Sequence, residues 1–275
     1  MTGIVIAGMG IGGLIAPPVF SRLIAAYDWR TSYVIQGIVI LLFMILGAQF
    51  LRRDPAQKGQ LPYGANEENQ PGLISETEAY SLREAVNTAQ FWLVLVMFFS
   101  LGFCAFAVMV HIVPHAIDLE ISAVSAASIL ATLNGLSVLG NFVLGGIVGD
   151  RIGNRQIFII GFTLMALTLF WLIFLGEERM LYLFAVAFGF ALGGMGTSES
   201  PLIARLFGLS SHGLIFGVVG LGFTSGAAVG PVVTGYIFDL TGSYQVAFLV
   251  CAIIAVVGLI MSSILRPTKR RGIKI

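Results

Sequence analysis

The sequence predicts an all-α protein embedded in a membrane, and three observations carry that prediction. Of its 275 residues, 57% are hydrophobic and 11% are charged, whereas a soluble domain carries about 25% charged residues. The apolar residues gather into eight runs of the length that crosses a hydrocarbon core, about 20 residues each. Small residues recur at every fourth position in two of those runs, a pattern on which membrane helices pack closely. In lipid each backbone polar group must be satisfied within its own segment, so the runs are expected to be helices.

In chain order the expected spans are residues 4–26, 32–51, 91–112, 125–149, 156–175, 181–204, 213–238 and 245–265. The first carries Gly8, Gly12, Ala16, Pro17 and Ser21. At a separation of 214 residues these correspond to Gly222, Gly226, Gly230, Pro231 and Gly235 of the seventh. A stripe of this kind offers a smooth face to a neighbouring helix, and the proline after it frees a carbonyl. Two matching bundles are implied, as in transporters built from internal repeats.

The first span also contains Gly8-x-Gly10-x-x-Gly13, with Asp28 20 residues after Gly8. A dinucleotide fold needs a strand, a tight turn and then an unbroken helix. Pro17 and Pro18 would interrupt that helix, and the small-residue repeat accounts for the same glycines. No cofactor is therefore expected.

The connection 52–90 is polar, with Pro55, Pro62, Pro71 and five glutamates, and it separates two spans from six. Within it Ser81-Leu82-Arg83-Glu84 has the spacing of a capping box, so a short surface helix is expected before Phe91.

Between the fourth and fifth spans lies Gly146-Ile147-Val148-Gly149-Asp150-Arg151-Ile152-Gly153-Asn154-Arg155. A turn of five residues, Asp150 to Asn154, makes the flanking helices antiparallel neighbours. Gly146 and Gly149 are expected to admit close helix approach, and Gly153 to supply a positive φ where the first helix stops. Asp150 is placed to cap a nearby helix. Arg151 and Arg155 mark the loop as cytoplasmic. With that side inside, twelve of the fifteen Lys and Arg fall on it. Arg30 and Arg179 lie opposite and Arg22 lies within the first span, so both termini are expected to be cytoplasmic.

The pattern Gly146-x-x-x-Asp150-Arg151-x-Gly153-x-Arg155 resembles the loop signature of the major facilitator superfamily, which joins the second and third and the eighth and ninth helices there. The resemblance implies that the eight spans are the fifth to twelfth of twelve. Residues 1–51 would be the last two helices of an N-terminal bundle and 52–90 a cytoplasmic linker. Residues 91–266 would be a complete C-terminal six-helix bundle and 267–275 a basic cytoplasmic tail. Four further helices are then expected from a longer gene product or a partner chain.

Ser81-Leu82-Arg83-Glu84-Ala85 leading to Phe91-Trp92, His111-Ile112-Val113-Pro114-His115 with Asp118, and Asp239-Leu240-Thr241-Gly242-Ser243-Tyr244 resemble the monocarboxylate transporter and oxalate/formate antiporter branch. That branch moves small organic anions. Its members usually place an arginine eight residues before the loop aspartate, and here that position is Phe142, beside Asn141.

Polar residues at bilayer depth are costly and mark functional sites. Asn134, Ser137 and Asn141 share one face of the fourth span, as a path lining or as helix–helix glue. Glu199, beside Pro201, is a candidate for a coupling proton or for a pair with Arg205. Arg22 is placed near the outer end of the first span, facing a solute or snorkelling to water. His111 and His115 flank Pro114 at the outer end of the third, at the mouth of a path or simply at the interface.

Cys104 and Cys251 sit inside apolar runs and read as packing residues, without a disulfide or metal framework. Met1 leads almost directly into an apolar segment with no basic stretch, so no cleavable signal peptide is expected. The three histidines lack metal spacing, no serine occupies a nucleophile elbow, and a net charge of +1 gives no nucleic-acid face.

The expected function is secondary transport of a small solute, an organic anion by the resemblance, through alternating access. The lipid bilayer, the solute, and a proton or counter-substrate are its expected partners, in a cell membrane. The alternative is a membrane subunit that transports nothing and needs a partner to supply the absent helices.

Overall fold

The computed structural model describes residues 12, 19–20, 22–24, 26–50, 80–174 and 176–266. Most of the first expected span, including Gly8 and Pro17, lies outside them, as do residues 51–79 and the basic tail. The chain divides into two compact units, 12–73 and one containing 74–275.

The first unit holds α1, Trp29–Phe50. Asp28 starts it: the Thr31 backbone N–H donates to Asp28 Oδ1 at 2.7 Å and the Thr31 hydroxyl to Oδ2 at 3.1 Å. The Thr31 N–H is the main reason that the exposed Asp28 carboxyl sits below its ordinary range. The aspartate that the glycine motif brought into question is thus a helix cap. Arg30 lies over the Trp29 ring, 5.0 Å from its centroid.

The second unit begins with α2, Leu82–Val86, and the capping box is present. Ser81 N–H donates to Glu84 Oε2 at 2.8 Å, and Glu84 N–H to Ser81 Oγ at 3.3 Å. Four helices of 30 residues and two shorter ones follow in sequence: α3 Ala89–Asp118, α4 Ala123–Ile152, α5 Asn154–Leu172, α6 Glu178–Phe207, α7 His212–Thr241 and α8 Tyr244–Ile264. With α1, seven described helices are long and apolar enough to cross a membrane. Hydroxyl caps fix three starts: Thr88 accepts from Phe91 N–H, Ser122 from Ser125 N–H and Ser243 from Gln245 N–H.

Several boundaries differ from the apolar runs. α3 continues through Pro114 to Asp118, and α4 continues to Ile152. The reversal expected over five residues takes one: Gly153, at φ 93 and ψ 152, alone separates α4 from α5. That φ disfavours any residue with a Cβ, which is why the chain can turn there so sharply.

Two parallel helix pairs frame the unit. Along α7, Gly222, Gly226 and Gly230 face the backbone of Leu95, Phe99 and Phe103 of α3 in ascending order. Gly102 of α3 answers at the Phe223 backbone. Along α6, Gly189 and Gly193 lie against Leu133 and Ser137 of α4, and Gly140 of α4 lies against Phe190. Without side chains at these points the backbones approach to contact, and dispersion between them holds helices together in lipid. The remaining core is aromatic: Phe98 of α3 stacks on Phe158 of α5 at 5.9 Å, and Phe162 fills the space left by Gly258 of α8.

Close approach does not occur at Gly146 or Gly149, contrary to expectation. A Cβ at Gly146 would meet nothing nearer than the Asn141 carbonyl of its own helix at 3.7 Å. At Gly149 the contacts would be ordinary, 3.4 Å to Leu144 O and 3.5 Å to Ile157 Cγ1. The cause is a π-helical stretch from Asn141 to Val148. Its wider turn carries the helix face out of α-helical phase, so Gly145 takes the packed position instead.

Candidate functional site

Four helices of the second unit line a half-open cavity of about 360 Å³. Leu101, Ala105, Phe106 and Met109 of α3 and Phe223 of α7 give it an apolar wall, with Phe106 and Phe223 edge to face at 6.1 Å. The opposite wall is polar. Asn134, Ser137 and Asn141 of α4 meet Glu199 of α6, beside Leu192, Gly193 and Gly196. Four of the residues singled out in the sequence therefore share one cavity, although 58 residues separate Asn141 from Glu199.

Their hydrogen bonds are unequal. Ser137 Oγ–H donates to the Asn134 carbonyl at 2.8 Å, leaving its lone pairs free. Asn141 Oδ1 accepts from the Thr197 hydroxyl at 2.9 Å, and both residues are buried. Glu199 is half-buried and is the one ionisable residue lining the cavity. Arg205 points elsewhere: its Nη1 lies at the Gly153 turn, 3.2 Å from where a Cβ would be. Six residues apart on a helix, Glu199 and Arg205 face different directions, so the pairing considered for them lacks the geometry.

The other candidates lie away from the cavity. His111 joins three helices: Nε2 is 3.0 Å from the Pro231 carbonyl of α7 and Nδ1 is 3.3 Å from Tyr244 Oη of α8. A carbonyl only accepts, so Nε2 carries the proton and Nδ1 accepts from the tyrosine. His115 is buried edge-on against Tyr244 and Phe248. Arg22 is exposed and belongs to the first unit.

The loop motif splits by role. Asp150 and Arg151 are exposed. Arg155 instead caps a neighbour: Nε donates to Ser262 O at 3.2 Å and Nη2 to Ser263 O, at the end of α8. Those carbonyls belong to the last turn of a helix, which has no donors of its own for them.

Sequence reading missed two features of the site. The glycines between α4 and α6 were legible as Gly189-x-x-x-Gly193, the spacing of close helix packing. Thr197 left no signal, because its partner Asn141 is 56 residues away.

The Major Facilitator Superfamily model matches residues 1–148 and 116–274. The chain belongs to that superfamily. It is a multi-pass membrane protein of a transporter family, not an enzyme. The chain is 25% identical over 289 residues to monocarboxylate transporter 12 of Mus musculus, covering 98% of this chain and 60% of that protein. It is 22% identical to the oxalate:formate antiporter of Oxalobacter formigenes, over 99% of this chain and 63% of that one. A probable sulfoacetate transporter of Cupriavidus necator is 24% identical, over 94% and 62%. Among solved structures, the superfamily transporter FucP in its outward conformation shares the fold, with a TM-score of 0.62 at 18% identity. That match covers 90% of this chain and 58% of FucP. The chain spans about 60% of the length of the curated relatives it matches.

Proposed function

We propose that this chain carries the solute-facing cavity of a secondary transporter for small organic anions, working by alternating access. The observation that carries the reading is the polar wall formed by Asn134, Ser137 and Asn141 of α4 with Glu199 of α6, lining a cavity inside a span-length bundle. Relatives named for monocarboxylates, oxalate and formate, and sulfoacetate supply the solute class. Glu199 is the group suited to a coupling proton, because a protonated carboxyl meets an incoming anion without repulsion. The segment from Gly146 to Arg155 acts as the cytoplasmic latch, and the chain runs with 52–90 and both ends inside.

Cysteines introduced singly at Asn134, Ser137 and Asn141 are expected to react with a water-soluble thiol reagent in membrane vesicles, whereas one at Leu136 is expected to stay protected. Equal protection at all four positions would return the stripe to helix packing. Asp150→Asn keeps the shape and removes the charge, so it is expected to change which side of the membrane labels Asn134→Cys. An unchanged pattern at normal expression would remove the latch role.

One observation favours the second reading, a subunit that needs other helices. In α1 only Ser32 is buried, while Phe43, Met44 and Phe50 are open. Saturable formate or oxalate uptake by vesicles holding only these 275 residues would reject it.

A further inference from the structure

We infer that Phe106 and Phe223 form a receptor for the apolar tail of the solute, so that the cavity favours monocarboxylates bearing a ring-sized hydrocarbon group over formate and oxalate. The inference rests on the proposed function, in which this cavity binds a small organic anion, and it names the kind of anion.

The cavity is divided along the line between its two helix pairs. Every lining residue from the α3–α7 pair is apolar: Leu101, Ala105, Phe106, Met109 and Phe223. Every polar side chain, Asn134, Ser137, Asn141 and Glu199, comes from the α4–α6 pair. A solute that satisfies both sides has a polar end and an apolar body. Formate has no carbon outside its carboxylate, and oxalate is polar at both ends, so neither covers the α3–α7 side. The cavity, at about 360 Å³, falls within the roughly 300–1,000 Å³ of small-molecule sites and has room for more than a carboxylate.

Backbone packing holds the two rings in place. A Cβ on Gly102 of α3 would lie 2.9 Å from the Phe223 carbonyl carbon and 3.0 Å from Ala227 N, so α7 is seated on α3 beside Phe223. Phe106 follows Gly102 by four residues, about one turn along the same helix face. Its ring meets that of Phe223 edge to face at 6.1 Å, a favoured arrangement for aromatic pairs. The contact still leaves Phe106 39% exposed and Phe223 half-buried. Aromatic surface lining the cavity is thus left uncovered, and a hydrocarbon group laid against it is removed from water.

On the polar side, Asn134 is free to receive the carboxylate. Its backbone carbonyl accepts from Ser137, and among the described residues no hydrogen bond engages its side-chain amide. An amide NH₂ carries two donors for such an anion.

Gly196→Cys supplies a reporter, because Gly196 lines the cavity and a Cβ there meets nothing within 4 Å. The native Cys104 and Cys251 are buried. In membrane vesicles holding this chain, benzoate, formate and oxalate are each titrated for protection of the introduced thiol from a water-soluble reagent. Benzoate is expected to protect at a concentration roughly tenfold or more below the other two, since each methylene buried is worth about fourfold. Phe106→Ala and Phe223→Ala should each shrink that preference by roughly tenfold, the loss of two such groups, and leave the formate value unchanged. A ring serving helix packing alone would not separate the two probes. Phe99→Ala, on α3 but outside the lining, controls for lost packing and should keep the preference. Should the alanine variants fail to accumulate, Phe106→Leu retains an apolar side chain and should lose part of the preference. Equal protection by benzoate and formate in the parent, or a benzoate preference untouched by the Phe106 and Phe223 substitutions, would overturn the inference and leave the solute cavity standing. Protection by none of the three anions would overturn the solute cavity itself, and the aromatic receptor with it.

Discussion

Replacing Gly193 with valine is expected to lower the midpoint of thermal unfolding in detergent by roughly 10 °C. The added side chain would enter α4 at the Ser137 peptide, 2.7 Å from its carbonyl carbon and 2.9 Å from Asn141 N. Backbone cannot rotate aside as a side chain can, so the helices must separate. Overpacking of this kind costs about 3 kcal/mol at its upper range. The change also moves Ser137 and Asn141, so labelling of Asn134→Cys should fall with stability. Gly196→Ala, three residues on, is the control: nothing lies within 4 Å of its added Cβ. It should melt like the parent or slightly higher, because alanine favours the helix by about 1 kcal/mol over glycine. Equal melting of the two variants would mean that α4 and α6 do not meet through Gly193.

Arg155→Ala is expected to fray the end of α8. Two guanidinium nitrogens reach the carbonyls of Ser262 and Ser263, which lie in the last turn and have no intrahelical donor. Charge-assisted bonds lost at a partly exposed site amount to about 2 kcal/mol. The midpoint should drop by roughly 5 °C, and amide exchange should rise between Leu259 and Leu265 while α6 is unchanged. Arg155→Lys should recover only part of the loss, because an ammonium cannot hold two carbonyls with a rigid fork. Exchange at the end of α8 that ignores both substitutions would remove this role.

The two cases mark where sequence reading reaches and where it stops. Helices were legible because membrane burial leaves an unmistakable trace: runs of about 20 apolar residues separated by charges. The Gly222, Gly226, Gly230 stripe was legible because its period is that of the helix, and it lies against α3. Asn134, Ser137 and Asn141 were legible as one face for the same reason, and Glu199 by its isolation in an apolar run. Arg155 was legible as a basic residue at a cytoplasmic turn, but its partners lie 107 and 108 residues on. Gly146 and Gly149 misled because an α-helical period was assumed across a stretch that is π-helical.

By itself, then, the sequence determined that this protein is a bundle of membrane helices with small-residue faces, a conspicuous turn at Gly153 and four isolated polar side chains at depth. These follow from local chemistry: hydropathy, helical period and the freedom of glycine are properties of neighbouring residues. Only the tertiary structure decided that those four side chains meet in one cavity, that Thr197 hydrogen-bonds Asn141, and that His111 joins three helices. Each depends on which helix lies beside which and at what rotation. That choice is made by backbone contacts between residues 49 to 127 positions apart, which no local pattern encodes.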